Sequence, residues 1–188
     1  MSTWYTELTG YFPANEMKSK EHFEVLLAEK ETLYKIEEGP EYVLVYFEKK
    51  DFLFIDYILV HSKNRSGGIG SKVINQLKRK NKPIILEVEP VSVHDPDSRK
   101  RVHFYEKTGF RAMHEIQYTR IHPVTKELNM MDIYYWSPVL KTEKWAMEKM
   151  AEIYQEVHAY KSEKLYGTPP QPIQEILALK EHLYRQAK

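Results

Sequence analysis

Cysteine is missing altogether from the 188 residues. That removes disulfides, thiolate nucleophiles and cysteine-based zinc sites together, and it fits a reducing compartment, with the cytoplasm as the default. An excess of either charge is missing too: 28 Lys and Arg face 27 Asp and Glu, a formal net charge of +1. No overall field therefore draws the chain to nucleic acid or to an anionic membrane. Long hydrophobic runs are also absent. The stretch from Phe52 to Val60 is interrupted by Asp56 and falls well short of the roughly 20 apolar residues that a spanning helix needs. The first ten residues lack the basic and apolar regions of a secretory leader. Repeats and low-complexity tracts do not occur, nor do the His-x-His or His-x-x-x-His spacings of a metal site. The expectation is a cytoplasmic protein with no membrane, nucleic acid or metal among its partners.

What is there suits an ordinary domain, since 42% apolar residues suffice for a core at this length. Residues 16–36 read as helical, with Phe23, Leu26 and Leu27 on one face and Gly39-Pro40 as the stop. Two β-rich runs follow, Tyr42 to Phe47 and Phe52 to Val60, joined by a charged segment of hairpin length. Next come a glycine-rich turn and a helix carrying Ile69, Val73, Ile74 and Leu77. The strand Ile84 to Glu89 closes a crossover that implies parallel pairing. Asp95 to Ser98 offer caps for a further helix that Gly109 ends, and the runs Arg111 to His122 and Leu128 to Trp136 form a second hairpin. Beyond Pro138, Ala146, Met150, Ile153, Val157 and Tyr160 trace an amphipathic stripe. After the proline-rich Thr168 to Pro172, a second helix is expected to run to the end.

Glycine is scarce, yet three of the seven, Gly67, Gly68 and Gly70, fall within four positions where a strand meets a helix. Backbone N–H groups can converge there on an anion at the positive end of the helix dipole. A dinucleotide fingerprint would need a glycine where Val73 stands, and a P-loop would need Gly-Lys-Ser/Thr after a longer loop. Merely structural glycines are the alternative.

The run Arg65-Ser66-Gly67-Gly68-Ile69-Gly70 resembles the Arg/Gln-x-x-Gly-x-Gly/Ala acyl-CoA pyrophosphate motif of the Gcn5-related N-acetyltransferase (GNAT) family. Downstream, His103-Phe104-Tyr105-Glu106-Lys107-Thr108-Gly109-Phe110 resembles that family's Phe-Tyr-Glu-x-x-Gly-Phe helix end, with the strand 84–89 between the two. The resemblance covers residues 12–136 in element order. It implies a mixed α/β (α+β) sheet of the acyl-CoA N-acyltransferase fold over 1–137, followed by a helical C-terminal extension over 138–188 that packs on the domain or on a partner. It implies acetyl-CoA as cosubstrate, with the backbone of Leu59, Val60 and His61 facing the thioester and pantetheine arm, and the turn Arg65, Ser66, Gly67, Gly68, Ile69, Gly70 and Ser71 on the pyrophosphate. Tyr105 would be the general acid that protonates the departing thiolate. The helix before it departs from the family in carrying Ser98 and Arg101 where Asn and Ala are frequent.

A protonated amine acceptor must lose a proton before it attacks. Glu87 and Glu89 share one face of the strand 84–89, and Glu89, nearer its carboxyl end, is the closer to a cleft there. Asp56, His94 and His103 are further candidates, and a salt bridge or a solvated end is the competing use of each. Tyr11, Phe12, Tyr118, Tyr134, Tyr135 and Trp136 either line an aromatic acceptor pocket or fill the core. Arg99, Lys100 and Arg101, with Lys72 and Lys78-Arg79-Lys80, are a phosphate-seeking patch or a solvated face. The expected activity is acetyl transfer from acetyl-CoA to a primary amine of a small molecule or protein through a ternary complex, by a monomer or weak homodimer. A non-catalytic acyl-CoA-binding module with a partner-binding tail is the other reading.

Overall fold

The structure is a computed structural model and describes residues 3–61 and 67–180. Arg65 and Ser66, of the glycine-rich motif, and the last eight positions lie outside the described residues. Two N-terminal helices, α1 (Trp4–Tyr11) and α2 (Lys20–Glu29), precede β1 (Tyr34–Glu38), β2 (Tyr42–Glu48) and β3 (Leu53–Val60). Then follow α3 (Ile69–Lys78), β4 (Ile84–Val88), α4 (Pro96–Lys107), β5 (Arg111–Ala112), β6 (Ile116–Ile121) and β7 (Leu128–Trp136). The C-terminal segment contains α5 (Glu143–Ile153), a π-helical turn (Tyr154–His158), α6 (Ser162–Tyr166), α7 (Ile173–Ile176) and β8 (Leu177–Leu179).

The strands form one sheet in the order β1-β2-β3-β4-β7-β6-β8, with β5 also paired to β7. The pairing of β3 with β4 is parallel, as the crossover through α3 requires, and the others are antiparallel. Helices α3 and α4 cover one face, where Ile69, Val73, Ile74, Leu77 and Tyr105 pack on Leu44, Leu53, Ile55, Leu86 and Val88. The N-terminal helices and the C-terminal segment cover the other, where Leu8, Phe23 and Leu26 meet Val43, Val45, Phe54 and Ile85.

Two sequence expectations need correction. The helix expected over 16–36 stops at Glu29, and residues 34–38 are an edge strand instead. Tyr34 is the reason in packing terms, because its ring is buried and its hydroxyl reaches Asp56 across the sheet. Among the described residues the second tail helix is only the single turn α7, after which Leu177, Ala178 and Leu179 pair as a strand with Tyr118, Gln117 and Ile116 at the open edge of β6. The stripe Ala146, Met150, Ile153 and Val157 is fully buried within the first core.

One irregularity shapes everything that follows. Between β2 and β3 the register shifts, so that Val45 faces Tyr57 while Tyr46 faces Ile55, and Asp56 is the extra residue of a β-bulge. The bulge resets the alternation of β3: Phe54 and, beyond the bulge, Tyr57 and Leu59 all face the first core. On its other side β3 pairs with β4 through Leu53↔Ile84, Phe54↔Ile85 and Ile55↔Leu86 and no further. The parallel strands part where the bulge begins, and a wedge opens between their carboxyl ends.

Candidate active site

The wedge is a cleft of about 700 Å³. Its walls are β3 from Ile55 to Val60, the end of β4 with Glu87, Val88 and Glu89, the starts of α3 and α4, and the segment between α1 and α2. From the first core side, Arg120, Asn129 and Met131 close the floor.

Gly68 stands at the N-cap of α3 with φ +71°, a left-handed conformation that glycine adopts without strain, and among the described residues no side chain caps the helix. The first-turn N–H groups of an α-helix have no partner within it, and here Gly68, Gly70 and Ser71 line the cleft. Gly70 has a second reason to lack a side chain, since a Cβ there would lie 2.9 Å from Cζ of Phe104 on α4. Gly67 is exposed in the preceding turn, and the Ile69 side chain belongs to the second core. The three positions expected to meet a pantetheine arm differ among themselves. The N–H of His61 donates to the carbonyl of Glu41, so it points toward β2. By the alternation of an antiparallel ladder, Leu59 turns its backbone the same way, whereas Ile58 and Val60 turn theirs into the wedge. The His61 ring is engaged by Pro40 and Glu7.

Tyr105 lies on the inner face of α4, its ring edge-on to Phe104 and Phe110 and 9% exposed. Tyr105 lines the cleft, and its hydroxyl has no hydrogen-bond partner among the described residues. Burial raises its pKa above the ordinary phenol value, so the proton is in place at neutral pH. A cap by Asp95 on the N–H of Asp97 and a left-handed Gly109 fix the two ends of the helix that carries it.

The carboxylates divide by their surroundings. Asp56 is bound by Nζ of Lys18 through both oxygens, at 2.7 and 2.8 Å, and by the Tyr34 hydroxyl. Glu87 accepts from His158 Nε2 at 2.8 Å and meets Arg120 Nη2 at 3.5 Å. Burial opposes its ionisation, but the His158 imidazole and the Arg120 guanidinium reverse this and hold it at about 2. That makes Glu87, a candidate base by sequence, a poor proton acceptor near neutrality. Glu89 is tied to Arg101, which also holds Asp95 at 2.7 Å. His94 and His103 are exposed, and only the former borders a smaller adjoining cavity. Arg99 and Lys100 are exposed on α4. Of the aromatic candidates, Tyr11 and Phe12 line the cleft. Tyr118, Tyr134 and Tyr135 are core, and Trp136 packs against the second core.

Glu16 is the carboxylate that the sequence reading missed. It borders both the main cleft and the smaller cavity, and no side-chain group of the described residues hydrogen-bonds its carboxyl. Burial and the neighbouring Glu89 push its pKa up to about 7, against the pull of Arg101 and Arg120. Its position is fixed by the chain around it. The carbonyls of Asn15, Glu16 and Met17 accept, in turn, from Asn129 Nδ2 at 3.2 Å, Tyr57 Oη at 2.7 Å and His122 Nε2 at 2.9 Å. No local pattern announces this. Arg120 was legible in principle, because it occupies an inward position of β6, in phase with buried Ile116 and Tyr118.

Comparison with known proteins decides the family. A protein of Bacillus subtilis (strain 168) named "Putative acetyltransferase YjbC" is 43% identical over 176 residues, 94% of this chain and 92% of that protein. A solved structure titled "Putative acetyltransferase from GNAT family from Bacteroides thetaiotaomicron" superimposes with a TM-score of 0.66 at 20% identity, over 89% of this chain and 97% of that one. The chain belongs to the GNAT acetyltransferases. No family model matches it. Membership makes the protein an acetyltransferase of mixed α/β fold. Among the described residues no helix is long and apolar enough to cross a membrane.

Proposed function

We propose that this GNAT protein moves the acetyl group of acetyl-CoA directly to a primary amine of a small molecule or protein, with both substrates bound at once. The observation that carries the reading is the parting of β3 and β4 beyond Ile55 and Leu86, which sets an uncapped helix start, a protonated phenol and a carboxyl of pKa about 7 around one cleft. In this reading the first-turn N–H groups of α3, with the turn Arg65 to Ser71, hold the pyrophosphate, as anions are held at helix starts. The β3 edge at Ile58 turns its N–H and C=O groups toward the pantetheine arm.

The two proton transfers then have separate agents. Glu16 takes the proton of the incoming ammonium, for which a pKa near the working pH is the efficient choice. Tyr105 holds its proton at Oη until the thiolate leaves. Glu89 assists by raising Glu16. Direct transfer requires a ternary complex, so initial rates of thiol release measured against both substrates should give intersecting lines. Parallel lines, or an acetylated enzyme isolated without acceptor, would overturn it.

A further inference from the structure

Beneath the cleft lies a group of buried charges that the transfer chemistry does not use. Four ionisable side chains, Lys18, Asp56, Glu87 and Arg120, are at most 10% exposed, and His158 joins them from the C-terminal segment. Their partners are unequally shared. Asp56 has Lys18 on both oxygens, and Glu87 has His158 at 2.8 Å. Among the described residues Arg120 is left with one side-chain hydrogen-bond contact at the limit of the range, 3.5 Å to Glu87, and its Nε is buried without a partner there. A guanidinium carries five N–H donors in a planar fork that matches a carboxylate. To bury such a group and leave its donors unanswered is costly unless something else answers them. The guanidinium is nine-tenths buried and borders the cleft on its floor.

The geometry points to Arg120 as the anchor for a carboxylate of the acceptor, so the substrate class is an amine that also bears a carboxylate, an amino acid in the broad sense. This rests on the acetyltransferase reading above and adds to it the second functional group of the acceptor. The site is then bipolar. The ammonium faces Glu16 and Glu89 near the mouth, and the carboxylate turns inward to Arg120, where Asp56 and Glu87 are already engaged by Lys18 and His158. Orientation follows from charge, since the reversed molecule would set its carboxylate against Glu16 and Glu89.

The test is an acceptor panel in matched sets, with thiol release from acetyl-CoA as the readout. Each set holds a free amino acid, its carboxamide and the corresponding amine without a carbon substituent there. The set covers both α-amino acids and ω-amino acids of increasing length. We expect kcat/KM for the best carboxylate-bearing acceptor to exceed that for its amide and its decarboxylated partner by at least about 10-fold, the scale on which a site built for a hydrogen-bonding group rejects its absence. Arg120→Lys keeps a counter-ion for Glu87 and should raise KM for the carboxylate acceptor by at least about 10-fold more than for its amide, with acetyl-CoA affinity, read by calorimetry, intact. Acceptors without carboxylate that serve equally well or better would overturn the inference and leave the transferase standing, and so would a variant that weakens both acceptors alike. Should Arg120→Lys fail to fold, the wild-type preference decides by itself. If no amine in the panel accepts, this inference falls, while the transferase keeps a protein amine as its acceptor.

Discussion

Nε2 of His158 lies 2.8 Å from Oε1 of Glu87, so the C-terminal segment supports from below the strand that forms one wall of the cleft. His158→Ala should leave Glu87 with the long contact to Arg120 alone and lower unfolding free energy by about 1–3 kcal/mol, the range for a buried polar group that loses its partner. His158→Gln, which can still donate to Glu87, should lose less. Urea titrations of the three proteins measure the difference, and equal losses for both variants would mean that packing rather than the hydrogen bond is at stake.

Glu16→Gln removes the proposed proton acceptor without changing size. Turnover should fall by roughly 100- to 10,000-fold, the usual span for a general base. In the parent protein kcat/KM should rise with pH through about 7 as the carboxyl ionises, and the residual activity of the variant should lose that limb. A pH–rate profile of both proteins checks it; an unmoved limb would transfer the role to another group.

Tyr105→Phe keeps the edge-on contacts with Phe104 and Phe110 but removes the hydroxyl. The expected result is a 10- to 1000-fold drop in kcat with acetyl-CoA affinity unchanged. Full turnover with only an altered melting temperature would assign Tyr105 to the core.

The two glycines of the α3 start should respond differently. Gly68→Val meets no neighbour but strains a backbone at φ +71°, and it should weaken acetyl-CoA binding by at least about 10-fold through the altered turn. Gly70→Val drives into Phe104 and should lower the melting temperature as well. Calorimetric titration together with thermal unfolding separates the effects.

His22 predicts the acid side of the stability curve. Burial takes its pKa down to about 3, and its Nε2 is buried without a partner. Because the unfolded imidazole has a pKa near 6.5, the folded state binds fewer protons between those values. The stability contributed is whole above about pH 6.5 and is lost as pH falls toward 3. Glu16 acts in the opposite sense: raised to about 7, it contributes stability below about pH 4.5 that is lost as pH rises through 7. The difference between parent and His22→Phe therefore isolates the histidine, and the parent's slope should exceed the variant's by up to about 1.4 kcal/mol per pH unit in that window.

Much of this was legible from local pattern. The strands 42–48 and 53–60, the turn at Gly68, the capped start of α4 at Asp95 and its left-handed end at Gly109 all follow from signals a few residues long. What escaped depended on distant partners. Tyr34 to Glu38 became a strand because β2 offered an edge, and Leu177 to Leu179 did so because β6 offered another. Glu16 sits in a segment with no regular structure, and its character is set by Glu89, Arg101 and Arg120, all more than seventy positions away. No window of sequence could contain that environment.

The bulged strand is held at Asp56 by Lys18, from the first tenth of the chain, while Glu87 opposite is held by His158, which is synthesised last of these. During translation the wedge can open as soon as β4 pairs, but its second wall is not braced until the C-terminal segment has left the ribosome. A nascent chain halted before residue 158 therefore has the start of α3 and Tyr105 in hand, yet lacks the His158 contact that braces Glu87.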